Sequence, residues 1–300
     1  MIDVAALSAL RAVSATGSVS GAAELLGFTP SAVSQQVKRL ERQTGVALLE
    51  RVGRGVLLTR QGHLLVDAGG DVLGRLEALE ADLHREAGSV AGVLRLGAFS
   101  TAVRGLLAPR LPALLAAHPA LEVRIQEVEP WQTLDLVASG QLDVGVVHSW
   151  GDLPLRLPEQ VEAETLTRDV AEVLLHRDHP LAAREELRPA DLVGVDWITT
   201  GEDTICREWL ERMFTGTGRR PRIAHRAMEF DSHLALVAAG LGVALVPRLG
   251  RSPLPDGVLA RPVRDPDPVR HVAAVHRTSS TASPAVAALV SALRDPSPDH

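Results

Sequence analysis

Ser31, Ser34, Gln35 and Lys38 bring hydroxyl, amide and ammonium groups to one side of a helix, because residues three and four apart are neighbours there. Those groups suit nucleic acid. Glutamine reads adenine bidentately in a major groove, serine approaches bases or phosphates, and lysine reaches guanine or phosphate. A plain solvated face would look the same, so the surrounding elements must decide. Opposite these residues, Val33, Val37 and Leu40 fall at i, i+4 and i+7 and form an apolar stripe. Thr29 suits the N-cap of this helix, and Pro30 suits its first position, where a missing N–H costs nothing.

Other reactive residue types lead away from catalysis. Lys38 is the only lysine in the chain, and Val37 stands where a phosphate-binding loop needs glycine. A Schiff-base cofactor would have to use this same residue. His176 and His179 flank Arg177 and Asp178, but on a strand running into a turn their rings would diverge rather than share a metal. Gly240-Leu241-Gly242 lacks the third glycine of a dinucleotide loop and fits a tight helix-to-strand turn. Cys206, the single cysteine, excludes an intrachain disulfide and a cysteine-based zinc cluster. Without a resolving partner it reads as a quiet structural thiol, with a redox-sensing role as the alternative. No enzyme activity, cofactor or metal is expected.

The elements that position the polar face are legible around it. Ala6, Leu7, Leu10 and Val13 predict a first helix, stopped by Gly17. A second, short helix begins at a cap on Ser18 or Ser20, carries Ala22 and Ala23 for close crossing, and ends at Gly27. After Gly45, two short strands around Val52-Gly53-Arg54-Gly55 predict a wing, with Arg51 and Arg54 beside a phosphate backbone or in a minor groove. The net charge of −6 argues against nucleic acid until it is divided. Residues 1–65 carry +3, from Arg11, Lys38, Arg39, Arg42, Arg51, Arg54 and Arg60 against Asp3, Glu24, Glu41 and Glu50, and the remainder carries −9. Only the N-terminal part suits a polyanion.

This N-terminal segment resembles the DNA-binding domain of LysR-type transcriptional regulators. The resemblance rests on Ala22-Ala23-Glu24-Leu25-Leu26, Thr29 through Val37, Leu40-Glu41, Gly45 through Arg51, and Leu58-Thr59-Arg60-Gln61-Gly62. Leu49 departs from the aromatic residue usual there, and keeps an apolar anchor. A winged helix-turn-helix over 1–60 is implied, with double-stranded DNA as partner and Thr29, Pro30, Ser31, Ser34, Gln35, Lys38, Arg51 and Arg54 as contacts.

Thr59 can cap a long helix over 61–88, with Leu65, Ala68, Val72, Leu76, Leu79 and Leu83 as its apolar seam. The resemblance implies that this helix pairs subunits into a homodimer or homotetramer, whereas packing on the protein's own body would give the same pattern. Gly69, Gly70 and Gly74 within it each cost about 1 kcal/mol relative to alanine, so fraying or a bend is expected.

Residues 89–300 alternate strands and helices, an α/β pattern. Strands are expected at Val93–Gly97, Leu121–Val128, Val144–Val147, Val170–Leu175, Trp197–Thr199, Ile223–Met228 and Val243–Pro247. Helices are expected at Leu106–Ala117, Trp131–Ser139, Thr204–Met213, Ser232–Ala239 and Ser283–Leu293, with 295–300 as a loose tail. Leu94-Arg95-Leu96-Gly97, Gly140 through Gly145, His179-Pro180-Leu181-Ala182 and Val237 through Pro247 resemble the effector-binding domain of the same family. That implies a two-lobed, periplasmic-binding-protein-like domain: lobe I over about 89–162 and 268–294, and lobe II over about 163–267. Crossovers are expected near Val161–Thr165 and Arg261–Val269. By resemblance the effector would meet Ser100, Thr101, His148, Thr199, Thr200, Phe230 and Asp231, although Ser100 and Asp231 equally suit helix caps and Phe230 the core.

The expectation is a sequence-specific DNA-binding transcription regulator controlled by a small polar effector, with RNA polymerase as a further contact. No run of residues is apolar enough to span a membrane, and no basic segment followed by an apolar one opens the chain, so it is expected in the cytoplasm. A DNA-associated protein without ligand control and a solute-binding protein are the alternatives.

Overall fold

The computed structural model describes residues 2–52, 55–151, 153 and 155–294; Arg54 of the expected wing tip and the expected tail lie outside them. Three helices open the chain: α1 (Val4–Thr16), α2 (Val19–Leu26) and α3 (Pro30–Thr44). Each begins at a side chain that satisfies otherwise orphaned backbone donors. Asp3 accepts from Ala5 N and Ala6 N, Ser18 rather than Ser20 accepts from Gly21 N at 2.9 Å, and Thr29 accepts from Ala32 N at 3.2 Å. Gly17, Gly27 and Gly45 end the three in the left-handed conformation. Leu10, Val13, Ala22, Ala23, Val33, Val37, Leu40 and Leu48 form their shared core. A hairpin of β1 (Leu49–Val52) and β2 (Gly55–Leu58) follows, antiparallel, with Leu49 opposite Leu58.

The long helix α4 (Arg60–Glu86) is capped by Thr59, whose hydroxyl accepts from Gly62 N at 3.0 Å. It is uninterrupted through its glycines. Two of those glycines, Gly62 and Gly69, allow a close approach. A Cβ on Gly62 would collide with the Leu48 carbonyl oxygen, one on Gly69 with the Leu7 side chain, and one on Gly74 would sit 3.6 Å from Ser279. The seam divides in two. Leu65 packs on the core of the first domain, whereas Val72, Leu76, Leu79 and Leu83 are exposed.

The rest of the chain forms two lobes on one continuous sheet. In chain order the elements are β3 (Gly92–Ala98), α5 (Ser100–Ala102), a π-helical turn (Val103–Leu107), α6 (Ala108–Ala117), β4 (Leu121–Glu127), α7 (Pro130–Ala138) and β5 (Val144–Trp150). There follow β6 (Val161–His176), β7 (Asp196–Thr199), α8 (Ile205–Met213), β8 (Arg222–Arg226), α9 (Phe230–Ala238), β9 (Val243–Pro247), β10 (Val258–Arg261), β11 (Val269–Arg277) and α10 (Pro284–Leu293). The strand order is β4-β3-β5-β11-β6-β9-β7-β8, with β10 also on β6. The expected crossover at Val161–Thr165 and the expected strand at Val170–Leu175 are one strand, β6. Its first part pairs with β11, and its last part pairs with β9 and β10. The second crossing is made by β11, which starts where the expected crossover at Arg261–Val269 ends. Leu96, Val144, Val146, Val272, Ala274 and Leu289 fill the core of the first lobe, and Val173, Trp197, Leu210, Phe214 and Val243 that of the second.

Candidate functional site

Two regions gather the residues singled out in the sequence. On α3 the side chains of Thr29, Pro30, Ser31, Gln35 and Lys38 are exposed and Ser34 is half-buried, while Val33, Val37 and Leu40 point into the core. Arg51 is exposed on β1. A shallow groove of about 670 Å³ runs along Gln35, Lys38, Glu41, Arg42 and the turn at Gly45-Val46-Ala47. The hairpin is fastened to α3 by Glu41, whose Oε1 accepts from Leu48 N at 2.9 Å and Leu49 N at 3.3 Å. This leaves an exposed helix face with basic residues beside it.

The second region lies between the lobes. Thr101, on α5, and His148, on β5, lie around a residue that sequence reasoning missed, Arg270 of β11. Arg270 is 1% exposed. Its Nη2 donates to Thr101 Oγ1 at 3.0 Å, and its Nε and Nη2 donate to Asp169 Oδ2 at 3.0 and 2.6 Å. The guanidinium also sits 4.9 Å from the Phe99 ring centroid and 5.8 Å from that of Trp150. His148 stands edge-on to Phe99 at 4.6 Å. Burial, and then the charge of Arg270, hold its pKa well below the usual histidine value, so the ring is neutral.

Both flanks of this cleft are shut. On one, Trp150 stacks with Trp209 of α8 at 6.1 Å, and the Trp209 ring fills the space where a Cβ of Gly151 would sit. On the other, a Cβ on Gly105 would strike the Gly250 backbone and one on Gly250 the Thr101 carbonyl oxygen, and Arg104 Nε donates to Gly250 O at 3.0 Å. Leu249 N donates to Asp169 Oδ1 at 2.9 Å. Three buried atoms near these contacts, His148 Nδ1, Trp209 Nε1 and Arg104 Nη2, have no hydrogen-bond partner among the described residues.

Thr199, Thr200 and Phe230 lie in lobe II next to this region, joined to it by Cys206, which packs against Trp150 and Trp209. They line a void of about 10 Å³ with Ile198, Cys206, Leu210, His233 and Leu245. Thr200 is paired with Thr204 at 2.6 Å, and Phe230 lies in the core of lobe II. Asp231 is exposed and accepts from Ser252 Oγ at 2.8 Å. Neither Ser100 nor Asp231 caps a helix: the N-cap positions are Phe99 and Glu229, without side-chain cap bonds. Burial pushes the Cys206 thiol up to about 11. His176 Nδ1 accepts from Asp178 N and His179 Nδ1 from Leu181 N, so each ring is engaged locally. Among the described residues no helix is long and apolar enough to cross a membrane.

Similarity to known proteins covers both regions. Residues 4–63 match the family model described as bacterial regulatory helix-turn-helix protein, lysR family, and residues 87–297 match the LysR substrate binding domain. A probable HTH-type transcriptional regulator, LrrA, of Synechococcus elongatus is 30% identical over 300 residues, 99% of this chain and 98% of its own. A hydrogen peroxide-inducible genes activator of Dickeya chrysanthemi is 29% identical over 261 residues, covering 86% of this chain and 84% of its own. The structure of a full-length OxyR variant from Pseudomonas aeruginosa superposes with a TM-score of 0.73 at 23% identity, over 98% of this chain and 95% of that one, which shows a shared fold. With a DNA-binding helix-turn-helix ahead of a two-lobed effector-binding domain, the chain belongs to the LysR family of bacterial transcription regulators.

Proposed function

We propose that the exposed face of α3 reads operator DNA through Ser31, Ser34, Gln35 and Lys38, with Thr29, Pro30 and Arg51 on the adjoining backbone, and that the interlobe cleft holds a small anionic effector at Arg270. The observation that carries the second part is the burial of Arg270. A guanidinium taken out of water needs a negative partner, and removing that partner costs about 3–5 kcal/mol. Asp169 supplies it directly in this closed arrangement, with Glu129 as a second carboxylate within electrostatic reach; the Thr101 hydroxyl, the neutral His148 ring and two aromatic faces complete the surroundings. A neutral ligand that parted Arg270 from Asp169 would leave a buried cation unpaired. A compact carboxylate or oxyanion takes over the pairing and gains the Thr101 hydroxyl. The second cluster, Thr199, Thr200 and Phe230, forms the lobe II wall once the cleft opens.

Subunit pairing through α4 belongs to the same reading. Val72, Leu76, Leu79 and Leu83 recur at spacings of four, three and four and stay exposed, which suits the apolar seam of a second copy. The protein then works in the cytoplasm, on DNA. A structural role for Cys206 fits this reading better than thiol oxidation, although several relatives are named for induction by hydrogen peroxide. A thiol raised to about 11 stays protonated at neutral pH and is a poor nucleophile.

Tryptophan fluorescence and thermal melting of the full-length protein test the cleft. Formate, acetate, oxalate, phosphate and sulfate are compared with neutral acetamide. One or more anions should raise the melting temperature and change the emission of the Trp150–Trp209 stack, and Thr101→Val should weaken that response. An equal shift with acetamide, or no shift with any anion, overturns the anionic reading.

A further inference from the structure

The strand that carries Arg270 into the cleft ends at a second buried arginine, Arg277. Arg277 lies where lobe I meets the long helix α4. Its Nε and Nη2 donate to Glu77 Oε2 and Oε1 at 2.8 and 3.0 Å, and its Nη1 donates to the carbonyl oxygens of Val137 and Leu142, both at 2.6 Å. Ser279 Oγ adds a bond to Glu77 Oε2 at 3.1 Å. Arg11 of α1 reaches the same place, its Nη2 donating to Ala138 O at 3.3 Å. Two guanidinium groups therefore meet the carbonyl-rich C-terminus of α7, where positive charge is favoured. Glu77 is the carboxylate that ties the junction to α4. One element of the DNA-binding domain, one turn of α4 and the end of β11 thus converge on a few charges.

Resting on the proposed reading of the cleft, we infer that β11 transmits the state of Arg270 to the DNA-binding domain, with the Arg277–Glu77 pair as the latch at its far end. Between the two arginines the strand spans about 23 Å at about 3.3 Å per residue. It is paired along its length with β5 and with β6, the β6 ladder carrying one register irregularity between Val272 and Ala273, so a displacement at one end is shared along the ladder. Regrouping Arg270 on an incoming anion, with Asp169 released, displaces the start of β11. The latch has little slack. All three nitrogens of Arg277 are engaged, so a displacement that lengthens the Glu77 bonds must either break them or carry α4 along. Because α1 packs on α4 and contributes Arg11 to the junction, movement of α4 changes the placement of α3.

Hydrogen–deuterium exchange on the full-length chain tests this. Arg270→Lys keeps the charge but loses the forked bond; Thr101→Val removes a single hydrogen bond and serves if Arg270→Lys does not fold. Either variant should speed exchange at 72–79 and 278–281 by about tenfold, while β7 and β8 keep their protection. Glu77→Gln alone should give the same acceleration, and combining it with the cleft variant should add nothing, the signature of one shared pathway. An unchanged junction in the cleft variants, or independent multiplicative effects, overturns the inference. The two readings fail separately. An anion that alters tryptophan emission without moving the junction refutes the latch alone; a junction that responds to Arg270→Lys while no anion binds refutes the anionic cleft alone.

Discussion

Arg270 and Arg277 stand near opposite ends of β11, both buried and both paired with carboxylates, Asp169 in the cleft between the lobes and Glu77 on the helix that leads to the DNA-binding domain. Asp169 is the direct cross-strand neighbour of Arg270, so one pair fixes the two crossing strands to each other. The other pair fixes the lobe to α4. The cleft between the lobes and the helix that leads to the DNA-binding domain therefore share one strand.

The glycines of α4 give opposite predictions for the same substitution. Gly62→Ala should destabilise the DNA-binding domain despite a gain of about 1 kcal/mol in helix propensity, because the new methyl meets the Leu48 carbonyl. Gly70→Ala should raise stability by up to about 1 kcal/mol, since its nearest neighbour is the end of Arg11 at 3.9 Å. Thermal melting of the two variants checks the sign of each.

Acid should weaken the two-lobed domain through its buried imidazoles. Burial lowers the pKa of His148, with help from Arg270, and burial also lowers that of His233. The unfolded chain takes up protons near pH 6.5 that the folded chain refuses, so stability present above that pH is lost as pH falls below it. Urea midpoints from about pH 7 down to about pH 5 should decline, and His148→Asn should flatten the decline. An unchanged slope in that variant would contradict the assignment.

Cys206 should resist thiol reagents. Folded protein at neutral pH should react with a chromogenic disulfide far more slowly than protein in denaturant. Because the unfolded thiol ionises near 9 and the folded one at about 11, stability should also fall as pH rises through that interval. Rapid labelling of the folded chain would revive a redox role.

How far the sequence could be read depended on the range of the interaction. Thr29 and Thr59 cap helices that begin at the next residue, so local chemistry announced those starts, and Ser18 settles a cap that the sequence left between Ser18 and Ser20. The apolar stripe of α3 announced which of its faces is free. The length of β6 was hidden, because its two ends serve different lobes and its middle carries Thr165, Thr167, Arg168 and Asp169, which interrupt any apolar run. The centre of the cleft was hidden for a related reason. Arg270 and Asp169 are 101 residues apart, and Arg277 and Glu77 are 200 apart, so no spacing rule joins them. Two arginines in a strand otherwise made of Val, Ala and His were the local sign, since burying either requires a partner.

The reading face of α3 makes a prediction at single-residue resolution. Gln35→Ala should weaken operator binding by about 1–3 kcal/mol and leave binding to random DNA unchanged. Lys38→Ala, at a phosphate, would weaken both and reduce the salt dependence. Fluorescence anisotropy with operator and scrambled duplexes, across a salt series, separates the two behaviours.

Footprinting of the full-length protein on the DNA flanking its own gene, with and without the anions that shift its melting temperature, tests the central claim most directly. Protection of a two-fold-related site is predicted, lost in Gln35→Ala and altered in extent by the anion. Uniform, sequence-independent coverage, or a footprint indifferent to every anion that binds, would contradict it.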